Sequence, residues 1–126
     1  IFKGNKICLM THGVMIEKAN IVRNELIKKK VKVSIYSCHT LKPFDTKSLK
    51  KIFRKYKLIV SIEDHSILGG LSEIIINNAF KEKYKGKILN YSLKDEFINC
   101  YGNHNDLLRK HGIDEKKIIK NILNEI

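Results

Sequence analysis

Short apolar runs alternate with segments of helical periodicity along the whole chain, and this alternation constrains the fold more than any other feature of the sequence. Asn5 to Thr11 (NKICLMT) is a buried run of strand length. Thr11-His12-Gly13 interrupts it. From Val14 to Lys29, Met15, Ala19, Val22 and Leu26 share one helical face, and Glu17, Lys18, Arg23 and Asn24 lie elsewhere on the wheel. Lys32 to Ser37 (KVSIYS) alternates and is β-branched, which predicts a second strand. Lys42-Pro43 marks a loop, because the residue before proline avoids the helical region. Asp45 is a helix N-cap candidate, with Leu49, Ile52, Phe53 and Tyr56 as the apolar face that follows. Lys57 to Ile62 (KLIVSI) is the third and most apolar strand. A polar turn from Glu63 to Gly70 leads to a helix over Leu71 to Phe80, with Leu71, Ile74, Ile75 and Ala79 inward. Lys87 to Tyr91 is a fourth strand, and Ser92 to Asn105 reads as irregular. Asp106 to Lys110 starts a short helix that His111-Gly112 stops. Asp114 caps a last helix striped by Ile118, Ile119, Ile122, Leu123 and Ile126. The pattern predicts an α/β protein: a three-layer α/β/α sandwich around a mostly parallel sheet covered on both faces.

With 126 residues, 43% of them hydrophobic, the chain has material for one domain and one real core. It begins with Ile1 rather than Met, from which we expect a piece of a longer chain. The sequence contains no secretory leader pattern and no apolar stretch long enough to span a bilayer, so no membrane partner is expected. The net charge of +12 raises nucleic-acid binding, but the lysines are spread along the sequence. Lys28, Lys29 and Lys30 form the one run of three, at a helix end where positive charge suits the macrodipole. Aromatic residues do not interleave with a basic stripe as single-strand binding requires, so no nucleic acid is expected either. Cys8, Cys38 and Cys100 are odd in number and lack a C-x-x-C pair, which fits reduced thiols in a cytoplasmic protein.

In an open parallel sheet, ligands gather at the carboxyl ends of the strands. Those ends carry Thr11-His12-Gly13, Cys38-His39-Thr40 and Glu63-Asp64-His65. Three histidines there suggest a metal, but no two share a helix at i, i+4 and no cysteine pair joins them. Cys38 and His39 are strand neighbours that point to opposite faces, which argues against a nucleophile–base pair. Cys8, inside an apolar strand, reads as a small core residue. Gly69 and Gly70 open a helix, whose N-terminus could hold an anion. Neither a G-x-G-x-x-G nor a G-K-[ST] loop is present, and the favoured reading is a tight turn that packs close to a neighbour. A purely structural turn needs those glycines but not the charge cluster Glu63-Asp64-His65. Either Glu63 or Asp64 caps nearby amides with His65 in solvent, or the cluster serves an interface.

Several blocks in order resemble the C-terminal domain of transketolases. Leu41-Lys42-Pro43-Phe44-Asp45 resembles that family's hydrophobic-Lys-Pro-hydrophobic-Asp segment. Glu63-Asp64-His65-Ser66-Ile67-Leu68-Gly69-Gly70-Leu71 is similar to its acid-acid-His box ending in Gly-Gly-Leu. Asp95-Glu96-Phe97, Leu107-Leu108 and His111-Gly112-Ile113-Asp114 resemble its tail, and Gly4-Asn5 with the Thr11/Gly13 turn fits its start. The superfamily includes transketolases, deoxyxylulose-phosphate synthases and the β subunits of 2-oxoacid dehydrogenases. Glu-Asp-His is nearest to transketolases, including the split kind, whereas Phe97-Ile98 is more like the synthases. His12 is inserted where the family usually runs Thr-Gly, and Phe97 to Gly102 is longer than in either relative.

The resemblance implies a Rossmann-like sheet of about five strands, one more than the sequence itself displays. It implies membership of a thiamine-diphosphate-dependent enzyme that transfers two-carbon ketol or acyl units, with thiamine diphosphate and Mg2+ held by preceding domains or a partner subunit. The diphosphate-binding motif and the activating glutamate segment of those domains do not occur here. The resemblance therefore gives this domain no catalytic, cofactor-binding or metal-ligating residue. It implies that the domain supports a homodimeric parent and packs beside the middle domain, with Glu63, Asp64, His65, Gly69 and Gly70 as candidates for that interface or the active-site entrance. The alternative is a freestanding flavodoxin-like module that binds a small anion.

Overall fold

The computed structural model describes residues 7–66, 68–94 and 102–126. Within them the chain runs β1 (Ile7–His12), a single 3-10 turn (Gly13–Met15), α1 (Ile16–Lys28), β2 (Val33–Cys38), α2 (Thr46–Lys55), β3 (Leu58–Ser66), α3 (Leu71–Lys81), β4 (Lys87–Leu93), α4 (His104–Lys110) and α5 (Glu115–Asn124). The strands form one sheet in the order β2-β1-β3-β4, and every neighbouring pair is parallel. In register, Leu9 stands beside Ile35 on one side and Val60 on the other.

Strand alternation divides the core into two layers. Ile7, Leu9, Leu58, Val60 and Ile62 face Ala19, Val22 and Leu26 of α1 and Ile118 and Ile122 of α5. Cys8, Met10 and Ile59 face Leu49, Ile52 and Phe53 of α2 and Leu71, Ile75 and Ala79 of α3. Both faces of β1 are thus covered, as a parallel sheet requires. Lys18 and Glu115, 2.5 Å apart, fasten α1 to α5 at the margin of the first layer.

The helix caps explain where elements begin. Asp45 accepts a hydrogen bond from the Ser48 amide at 3.0 Å, and its carboxyl is held below the ordinary range by the two bonds from Ser48. Asp114 receives the Lys117 amide at 3.2 Å. Asn103 and Asp106 form a reciprocal capping box, which starts α4 at His104, earlier than the expected Asp106.

Three expectations need correction. The described residues hold four strands where about five were expected; residues 95–101 lie outside the described residues. Glu63, Asp64 and His65 are not in a turn, because β3 continues to Ser66 and pairs there with Leu93, after an irregularity between Ile62 and Ser66. On α3, Ser72 is buried, and Ile74 is only half-buried.

Two helix ends are unusual. Lys30 and Lys83 adopt φ of 62° and 53°, the left-handed position that glycine normally fills after a helix. Their amides bond back to Ile27 at 2.8 Å and Phe80 at 3.2 Å. Helix α4 instead leaves through Gly112, at φ 81°.

Candidate functional site

Each crossover helix returns against the strands, so the carboxyl ends of the strands and the N-termini of α2 and α3 share one edge. On that edge, β3 carries the charge cluster singled out in the sequence, and the structure divides its members between different tasks.

Glu63 is buried, with 2% of its surface exposed. Its carboxylate receives the Leu71 amide at 2.5 Å and the Ser72 amide at 3.3 Å. It therefore caps α3 from eight residues upstream, in place of a side chain at the N-cap itself, which is Gly70. Burial raises its carboxyl above the ordinary value, against the downward pull of the Ser72 hydroxyl, the two amides and His65. Gly70 makes the arrangement possible. A Cβ there would lie 2.8 Å from both Glu63 carboxylate oxygens and from the Ser66 carbonyl oxygen. Gly69 has φ 72° and open space around it, so its requirement is conformational. Its amide donates to Glu73.

Below Glu63 lies a buried polar chain. The Ser61 and Ser72 hydroxyls are 2.9 Å apart, and both reach the Asn90 side-chain oxygen. The chain spans β3, α3 and β4 and fixes the helix over the strand end. The Thr11 hydroxyl, fully buried at the end of β1, has no hydrogen-bond partner among the described residues.

Asp64 and His65 stand outside this scaffold. Both are exposed. Asp64 faces His104 of α4, with 3.1 Å between carboxylate and ring nitrogen. The His65 ring turns back to the Ser66 carbonyl at 2.7 Å. Glu63 and Gly70 thus meet, Gly69 shapes the turn, and Asp64 and His65 project from it. Ile67 lies outside the described residues, as do the resemblance blocks at Gly4-Asn5 and Asp95-Glu96-Phe97, with Phe97-Ile98 and Cys100.

The other strand ends are separate. The His12 ring contacts the Cys38 carbonyl at 2.6 Å, tying β1 to β2. Beside Cys38 and His39 a cleft of about 330 Å³ opens over Met10, Phe44, Leu49 and Ile52. Burial pushes the Cys38 thiol up to about 11, which makes it a poor nucleophile. Among the described residues no three His, Cys, Asp or Glu side chains are placed to hold a metal ion. The residues described do not fit thiamine diphosphate either. The N-terminus of α3, which follows Gly69 and Gly70, is already filled by the Glu63 carboxylate, an internal anion where a diphosphate would sit. Sequence reasoning missed His104, whose pairing with Asp64 joins elements far apart in the chain. It also missed the Ser61–Ser72–Asn90 chain, for which no periodicity gives a sign.

A doubly wound parallel sheet with a helix-capping glutamate at one strand end and an exposed polar rim beside it defines an α/β domain. Residues 2–118 match the family model described as transketolase, C-terminal domain, and the chain belongs to that family. It is similar to the 1-deoxy-D-xylulose-5-phosphate synthase of Clostridium tetani, 33% identical over 118 residues, which are 94% of this chain and 19% of the relative. The enzyme of the same name from Clostridium acetobutylicum is 33% identical over 121 residues, 95% of this chain and 19% of the relative. The chain therefore spans about a fifth of the length of these curated relatives. Among solved structures, a split-gene transketolase described as an inactive beta4 tetramer superposes with a TM-score of 0.83 at 22% identity, covering 98% of this chain and 40% of that one. The transketolase of Campylobacter jejuni gives 0.65 at 18% identity, covering 97% and 17%.

Proposed function

We propose that the chain is the C-terminal, non-catalytic domain of a thiamine-diphosphate-dependent enzyme of the transketolase type, and that the parent is a 1-deoxy-D-xylulose-5-phosphate synthase. The curated relatives described above favour the synthase over a transketolase. The observation that carries the supporting role is the Glu63 carboxylate seated on the Leu71 and Ser72 amides. That contact spends the domain's best anion seat on its own fold and fixes the strand end from which Asp64 and His65 project. These two side chains contact the middle domain of the parent or of its dimer mate and order the active-site entrance. Thiamine diphosphate and Mg2+ are held by the other domains or a partner subunit, and the parent works as a homodimer in the cytoplasm. The same contact speaks against a freestanding anion-binding module, whose ligand Glu63 would exclude by charge and by volume.

The isolated chain is expected to give no saturable heat when titrated with thiamine diphosphate and Mg2+, whereas the complete parent gives one. A saturable heat of micromolar affinity from the chain alone would overturn the assignment of the cofactor to other domains.

A further inference from the structure

Lysines that are spread along the sequence gather at one edge of the fold. The ends of α1, α2 and α3 meet the starts of β2, β3 and β4 at the amino edge of the sheet, opposite the rim that carries Asp64 and His65. The three connections read KKKVK over 28–32, RKYK over 54–57 and KEKYKGK over 81–87. They hold eleven cations against one acid, Glu82, and all eleven cations are exposed. Lys28 pairs with Glu25 at 2.6 Å and Lys87 with Glu125 at 2.5 Å. Glu82 itself turns to Lys50 of α2, at 3.3 Å. The other cations of the three connections have no acidic partner among the described residues.

Some positive charge at helix C-termini complements the macrodipole. The local fold does not explain the rest. Lys30 and Lys83 occupy left-handed positions at φ 62° and 53°, where glycine would be unstrained. Next to these lysines stand exposed apolar side chains. Phe80, 86% exposed, directly precedes 81–87, with Ile76 one turn earlier, and Ile27 directly precedes 28–32.

We propose that this amino edge rests on an anionic lipid surface, with Phe80 entering the interface and the lysines lying among the headgroups. Lysine-rich charge beside an exposed aromatic residue is the composition of peripheral interfacial contacts. Single-stranded nucleic acid fits less well. All but one of the eleven cations are lysines, point charges without the fork that reads phosphates and bases. The two tyrosines within the connections, Tyr56 and Tyr84, turn toward the core, so bases would find no row of stacking platforms. The contact is peripheral, since among the described residues no helix is long and apolar enough to cross a membrane. It is independent of the function proposed above, because it uses the opposite edge.

Co-sedimentation with vesicles tests this. The protein is expected to bind phosphatidylcholine vesicles that contain phosphatidylglycerol, to ignore pure phosphatidylcholine, and to release as salt screens the charges. Phe80→Ser should lower the partition coefficient about tenfold. Lys30→Gly combined with Lys83→Gly should lower it about 25-fold, roughly fivefold per lysine, while raising the melting temperature because the backbone strain is relieved. A more stable protein that binds lipid less cannot be the result of misfolding. Equal binding to neutral vesicles, an undiminished partition coefficient in the double variant, or binding of RNA with no binding of anionic vesicles would each overturn the proposal.

Discussion

Gly70→Ala is expected to destabilise the domain by about 2–4 kcal/mol, a large loss for adding one methyl group. Gly70 has φ −97°, which alanine adopts freely, so none of the loss is backbone strain. The added Cβ would meet three oxygens at 2.8 Å, and one of them is the Ser66 backbone carbonyl, which cannot swing aside. The other two belong to Glu63, which can retreat only by giving up the Leu71 and Ser72 amides. Glu63→Ala in the same chain should relieve part of the clash, so the double variant loses less than the sum of the two single losses. Denaturant titration of the four proteins measures this directly. Strict additivity would show that Gly70 and Glu63 do not share one packing arrangement.

The same carboxylate sets a pH dependence. Burial raises Glu63 above its ordinary value of 4.5, so the folded state holds the proton more tightly than the unfolded chain does. Stability from this group is therefore greatest below that value, declines as pH rises through the interval just above it, and then levels off. Glu63→Gln should flatten that interval.

The second large effect concerns the rim. In the complete parent, His65→Ala is expected to lower activity or weaken dimerisation by about 10- to 100-fold, the loss of one charged hydrogen bond across an interface. The melting temperature of this domain should stay nearly unchanged, because His65 is exposed and its one hydrogen bond among the described residues is to the adjacent Ser66. Asp64→Asn should also loosen α4, through His104. Unaltered activity and assembly together with a domain destabilised by several kcal/mol would show that His65 serves only the local fold.

Much of the fold was legible because it rests on repeating patterns. Ala19, Val22 and Leu26 are buried where their helical spacing puts them, and Asp45 and Asp114 cap the helices they precede. What was not legible depends on contacts between distant residues. The sequence reading stopped β3 at Ile62 because Glu63 is polar, but a strand can continue through a buried carboxylate when a helix N-terminus eight residues later satisfies it. The same contact shows what part of the cluster does: Glu63 caps amides, Asp64 pairs with His104, and His65 is exposed. The placement of the charge was hidden in a similar way. Lysines that look scattered in one dimension meet at the amino edge, because parallel topology brings successive connections to the same side.

The central claim is that this domain completes an enzyme whose cofactor and chemistry lie in other domains. The direct measurement is the formation of 1-deoxy-D-xylulose 5-phosphate by the thiamine-binding domains of the parent, with and without this chain supplied. The account predicts product only when both are present, and none from this chain alone. Full activity of the thiamine-binding domains without it, or turnover by this chain alone, would contradict the account.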